Sequence, residues 1–192
     1  MSILKDTNTR YHPLQVTLHW LVVVLIFAAF LLGKTMSGLP NDSAKILPLA
    51  AHMTLGLTTL VVLIVRFVAR LRLPRPAPVT AGNAFFDWVG KAVHYALYAL
   101  VFLMTLSGLS LSLQSGLIPI VFGGSGAVLP ADFYVFTARV SHGIIAPALL
   151  GLVVLHVGAA LYHQFVLKDH LLARMGYGKS KTKEPADAAQ SL

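Results

Sequence analysis

Cysteine is absent from the 192 residues, which excludes disulfides, thiolate zinc sites, iron–sulfur clusters and covalent haem attachment through C-x-x-C-H. Charge is nearly as scarce. Only 11% of residues are Asp, Glu, Lys or Arg, where a soluble domain carries about 25%. A water-facing surface is built from charged groups, so this shortage excludes an ordinary soluble enzyme, and disordered or collagen-like chains with it. Acidic groups are the rarest: 7 Asp and Glu stand against 15 Lys and Arg, a formal charge of +8. What fills the chain instead is apolar, with 56% hydrophobic residues and a mean hydropathy of +0.74. In so apolar a chain the positive charge belongs to loops at a membrane surface and not to a nucleic-acid interface. The composition is that of an integral membrane protein.

Spanning a bilayer takes about 20 apolar residues at about 1.5 Å each. Four stretches qualify, with apolar centres at 14–33, 46–65, 92–113 and 140–167. They are continuously apolar without alternation, so they read as helices, over about 14–36, 46–70, 88–113 and 136–167. Breakers separate them: Ser37-Gly38-Leu39-Pro40, Pro74-Arg75-Pro76-Ala77-Pro78 and Gly123-Gly124-Ser125-Gly126. The expectation is an all-α integral membrane protein, a four-helix bundle forming one membrane domain over residues 1–175. Residues 176–192 form a polar tail with the composition of a disordered segment. The first apolar run is longer than a signal peptide needs and no A-x-A-like site follows Gly33, so it reads as a retained helix.

Lys and Arg fix the orientation. Lys5, Arg10, Arg66, Arg70, Arg72, Arg75, Lys91, Lys168, Arg174, Lys179, Lys181 and Lys183 fall on one side, and Lys34, Lys45 and Arg139 on the other. Both termini are therefore expected in the cytoplasm.

Ionisable groups inside spans are costly and mark functional sites by default. The spans hold almost no acid, yet carry His19, His52, His94, His142, His156 and His163. A lone His on an apolar helix is more often a satisfied core residue; six in four spans is a different situation. The topology gives each a depth. His52 and His142 lie toward the periplasm; His19, His94, His156 and His163 lie toward the cytoplasm. His142 and His156 are fourteen apart, about 21 Å of rise and within about 40° of one face, so one helix presents imidazoles at two depths. Imidazole is a strong iron ligand, and a His pair clamping a flat macrocycle is how bundle cores hold haem. Two stacked b haems are the sharp expectation. Packing histidines, proton relays and copper are the alternatives. Spacing leaves the cytoplasmic pair open, because four histidines lie there and only two can share one iron.

Gly56, one turn after His52, and Gly108, Gly143, Gly151 and Gly158 give room for a large planar group. Equally, they are the small residues that pack transmembrane helices.

Several pieces resemble the bacterial cytochrome b561 family of four-helix dihaem membrane proteins: His19-Trp20, His52-Met53-Thr54-Leu55-Gly56, Arg66 and Arg70 before Pro74-Arg75-Pro76, and His94-Tyr95-Ala96-Leu97-Tyr98. The fourth helix adds His142, the run Leu155-His156-Val157-Gly158-Ala159-Ala160-Leu161-Tyr162-His163, and then Lys168-Asp169. The resemblance covers Tyr11 to Met175. It implies His19 and His156 for a cytoplasmic haem and His52 and His142 for a periplasmic one. His94 and His163 become groups near the propionates or a quinone. Arg66, fourteen residues after His52 and nearly in phase with it, is a candidate partner for a propionate of the cytoplasmic haem. Trp20 and His163 are the candidates for a quinone contact, with an aromatic-belt anchor the plainer role for Trp20. His12 and His170 read as surface residues.

Superoxide oxidases in the family imply a further role. Lys34, Lys45 and Arg139 would form a basic mouth that attracts a small anion, with the electron passed inward to ubiquinone. The implied activity is single-electron transfer across the inner membrane by an oxidoreductase that takes electrons from superoxide or another periplasmic donor. A cytochrome b subunit linking a dehydrogenase or hydrogenase partner to the quinone pool is the alternative, and a haem-free transporter or scaffold the third. The connection from Gln114 to Arg139, apolar and glycine-rich, offers no docking domain and suits the haem edge or the membrane surface.

Overall fold

In a computed structural model of the chain, residues 10–176 are described apart from 79 and 81; most of the polar tail expected over 176–192 lies outside them. The described residues contain helices and no strands. Four long helices are apolar and long enough to cross a membrane: α1 (Pro13–Ser37), α2 (Ile46–Arg72), α3 (Ala84–Gln114) and α5 (Thr137–Phe165). Two short helices, α4 (Leu117–Val121) and α6 (Leu171–Arg174), follow α3 and α5.

Local chemistry sets the boundaries. Pro13 opens α1, where its missing N–H costs nothing. His12 caps that helix, its Nδ1 accepting the Leu14 N–H at 3.2 Å, which is more than the surface role its position suggests. Asn83 caps α3, its side chain accepting the Phe85 N–H at 2.8 Å, so this helix starts four residues before the apolar run implies. Pro147 inside α5 removes one intrahelical bond midway between His142 and His156.

The packing is that of two hairpins. α1 lies along α2 and α3 lies along α5, while α2 against α3 joins the two. Leu63 of α2, Val101 of α3 and Leu149 of α5 are buried together at mid-height, with Ile26 of α1 packed on them. A second apolar cluster closes one end. Leu117 of α4 and Leu129 of the following loop bury themselves against Leu49 at the start of α2, so the glycine-rich connection folds back as a cover. Asn41 ties the first loop to it, donating to the Ala131 carbonyl at 2.9 Å. Elsewhere the helices turn large apolar side chains outward, such as Val24, Leu31, Ile144 and Val154, as lipid-facing surfaces do. Four such helices make a multi-pass membrane protein.

Candidate functional site

Two pairs of imidazoles face one another across the space between the hairpins. At the α4 end, His52 of α2 meets His142 of α5 with ring centres 6.1 Å apart and planes inclined by 77°. At the opposite end of α5, His19 of α1 meets His156 of α5 at 6.4 Å and 76°. α5 supplies one ring to each pair and the α1–α2 hairpin the other. The Leu63–Val101–Leu149 cluster lies between the two levels.

The separations can be tested against a shared metal. An imidazole nitrogen binds a first-row metal at about 2.0–2.1 Å, so two rings on opposite sides of one ion have centres roughly 6 Å apart. Both pairs meet that condition. His94 does not: its ring centre lies 5.1 Å from that of His156, too near for an ion in line between them. Its Nδ1–H donates to the Gly90 carbonyl at 2.7 Å, so the ring separation alone sets it apart. The geometry thus favours His19 over His94 as the partner of His156, a choice that spacing leaves open. Among the described residues no three His, Cys, Asp or Glu gather as a metal-binding group.

The α4-end pair is prepared for ligation. His52 Nδ1 lies 3.0 Å from the Ala29 carbonyl, which can only accept, so the ring's proton sits on Nδ1 and Nε2 keeps its lone pair. His142 reaches the same state through Ser107. The Ser107 hydroxyl donates to the Met104 carbonyl at 2.8 Å, so its oxygen is left to accept from His142 Nδ1, 3.0 Å away. Close backbone accommodates both rings: a Cβ on Gly33 would lie 3.0 Å from His52 Cε1, and one on Gly108 would lie 3.2 Å from His142 Cε1. Gly56 is partly buried one turn beyond His52, and a Cβ there would meet nothing within 4 Å, so open space continues along that face. All-nitrogen donors, free Nε2 atoms and this space fit a flat iron macrocycle.

At the other end Arg66, Arg70 and Tyr98 line a shallow open cleft together with Tyr11, Gln15 and Met175. Arg66 Nη1 donates to the buried Gln15 carbonyl at 3.1 Å. The Arg66 and Arg70 guanidinium carbons lie 5.9 and 5.8 Å from the Tyr98 ring centre. Among the described residues that line the cleft there is no carboxylate beside the two guanidinium groups. Trp20 is half exposed, and its indole N–H donates to the Met175 carbonyl at 3.0 Å, a tie across 155 residues that a belt anchor does not need. His163 pairs with Asp169. Ala29, Gly33, Ser107 and Asp169 had no assigned role in the sequence. Each acts through a contact with a histidine, and only Asp169 carries a local sign of it, standing six residues from His163.

Residues 10–178 match the family of prokaryotic cytochromes b561, and the chain belongs to that family. It is 31% identical over 185 residues to "Cytochrome b561 homolog 2" of Escherichia coli (strain K12), covering 92% of this chain and 96% of that one. It is 31% identical over 170 residues to "Cytochrome b562" of Cereibacter sphaeroides, with 86% and 94% covered. With "Probable superoxide oxidase CybB" of Yersinia pestis it shares 28% identity over 173 residues, 88% of this chain and 96% of that one. Membership brings membrane electron transfer and haem b with it.

Proposed function

We propose that the chain moves single electrons across the bilayer through two b haems, from superoxide at the periplasmic face to ubiquinone at the cytoplasmic face. His52 and His142 hold one haem; His19 and His156 hold the other. The carrying observation is that both facing pairs, at opposite ends of α5, have the ring separation of two imidazoles sharing an ion. The excess of Lys and Arg at the end of the termini supports a cytoplasmic location for both. The similarity to a protein named a probable superoxide oxidase supports the choice of donor.

When bound, haem b supplies an iron that gains and loses one electron. The residues do the rest. His52 with His142, and His19 with His156, would hold each iron between two imidazoles and leave dioxygen no place to bind it, so exchange with substrate would be outer-sphere. Leu63, Val101 and Leu149 keep water out of the middle. The α4 cover shields the His52–His142 level, with Leu117 and Leu129 on Leu49. Beside that cover Lys45 Nζ donates to Asn41 Oδ1 at 2.7 Å, and Arg139 stacks on Tyr134 with 4.7 Å from guanidinium carbon to ring centre. With Lys34 they make the periplasmic mouth attractive to a small anion. At the cytoplasmic end Arg66 pairs with a propionate, and His94 stands beside the ring of His156. Trp20 and His163 contact the quinone.

The test is a haem-per-chain assay with reduced spectra on purified protein. Two b haems in the wild type, and one in each of His52→Ala and His19→Ala, support the reading; one haem or none in the wild type overturns it. Stopped-flow reduction by superoxide then tests the donor. No response to superoxide, with a large dehydrogenase or hydrogenase subunit copurifying, would replace the oxidase reading with that of a partner subunit.

A further inference from the structure

Past His163 the chain doubles back beneath the bundle. His163 follows His156 by seven residues, nearly in phase and about 10 Å farther along α5. Asp169 returns its carboxylate to this ring, Oδ2 pairing with His163 Nδ1. The aspartate is itself held twice more. Its N–H donates to the His163 carbonyl at 3.3 Å, and its Oδ1 accepts the Leu171 N–H at 3.1 Å. On either side stand Lys168 and His170 with φ of 55° and 57°, left-handed conformations that side chains with a Cβ adopt only under compulsion. Two such residues around one aspartate aim it back at the histidine.

The segment beyond is pinned across the end of the bundle. Arg174 Nη1 donates to the Ala77 carbonyl at 2.7 Å, the Tyr11 N–H donates to the Arg174 carbonyl at 3.2 Å, and Trp20 donates to Met175. This strap thus joins the two residues assigned to the quinone, Trp20 and His163, through one stretch of chain. One residue past His163, Gln164 Oε1 is a buried side-chain oxygen without a hydrogen-bond partner among the described residues, so an acceptor stands open at this end.

We propose that Asp169 is a positioning residue for proton delivery: it holds Nδ1 of His163 and stabilises the imidazolium, so that the opposite nitrogen, Nε2, gives its proton to a quinone oxygen. The proposal rests on the quinone being reduced at this end. Two superoxide ions each lose one electron and leave as dioxygen. The quinone takes both electrons, and each of its two carbonyl oxygens forms an O–H bond with a proton released by breaking the Nε2–H bond of His163. Solvent water restores that proton after each transfer. The carboxylate orients and charges the ring without itself being protonated, the division of labour in a Ser-His-Asp triad.

The experiment uses haem-loaded protein reduced chemically and freed of reductant, mixed with ubiquinone-1 in a stopped-flow instrument, with superoxide-driven haem reduction measured separately. Asp169→Asn keeps an oxygen for the Leu171 N–H but loses the charge. Its haem content and reduction by superoxide are expected to match the wild type. Its oxidation by saturating ubiquinone-1 is expected to fall about 100-fold and to acquire a larger effect of deuterium oxide. Asp169→Glu restores part of the rate. His163→Ala shows the same loss, recovered by added imidazole. A wild-type rate in Asp169→Asn overturns the proposal, and so does a loss with no isotope effect in a background where imidazole fails to rescue His163→Ala. If reduced wild-type protein does not pass electrons to ubiquinone-1, the assignment of this end to the quinone fails, and the role of Asp169 with it. Failure in the superoxide arm alone leaves that role standing and removes only the donor.

Discussion

Gly33 of α1 and the ring of His52 on α2 touch so closely that the smallest side chain on Gly33 would stand 3.0 Å from Cε1. His52 cannot simply retreat, because Ala29, one turn earlier on the same helix, holds its Nδ1–H at 3.0 Å. Gly33→Val is therefore expected to displace the imidazole and empty the His52–His142 site. The expected preparation carries one haem per chain, with the spectrum of the His19–His156 site intact. Two haems with unchanged spectra would show that the ring has room to move.

Ser107 is the second support of that site. Its own proton is committed to the Met104 carbonyl at 2.8 Å, which leaves the oxygen to accept. Ser107→Ala leaves His142 Nδ1 without its partner at 3.0 Å. Loss of such an outer partner lowers affinity about 10-fold or more. Haem titration of apoprotein should show weakened binding at one site of two.

Arg66 offers a test at the other end. Removing a positive charge near an iron makes the added electron less welcome, so Arg66→Gln should lower the midpoint potential of one haem by roughly tens of millivolts. The second haem, held at the opposite end of α5, should hardly change. Redox titration with optical detection separates the two. A shift of both, or of neither, would remove the propionate role.

His94→Ala checks the assignment that geometry favours over spacing. Its ring lies 5.1 Å from His156, against 6.4 Å for His19. Two haems per chain are expected in this variant, with a displaced band for one of them. A preparation with a single haem would make His94 the ligand and His19 the neighbour.

Charge reversal at the mouth tests the donor. Lys45→Glu with Arg139→Glu is expected to slow haem reduction by superoxide about 10-fold at low salt and to flatten its dependence on ionic strength. Rates insensitive to salt in the wild type would remove the steering role.

How much of this is readable in the residues follows from the range of each interaction. The four helices are legible because lipid demands a continuous apolar run, and 14–33 or 140–167 has no other use. The depths of the histidines are legible because rise per residue is fixed. A choice between His19 and His94 is not, since it depends on about 1 Å in ring separation across helices far apart in sequence. Gly56 stands out by its spacing from His52 and does open onto space, whereas Gly33 touches the ring from another helix and leaves no local trace. The cover formed by Leu117 and Leu129 reads in the sequence only as an apolar, glycine-rich connection suited to the haem edge or the membrane surface. Its hold on Leu49 spans about seventy residues, beyond any local pattern.

Both imidazole pairs draw one member from α5, the last of the long helices among the described residues. During synthesis α1 and α2 enter the bilayer early with His19 and His52 already in place but facing nothing. Neither pair exists until His142 and then His156 have been made and inserted. Cofactor loading is thereby deferred until α5 is in place. A nascent chain stalled after α3 would be three membrane helices holding neither imidazole pair.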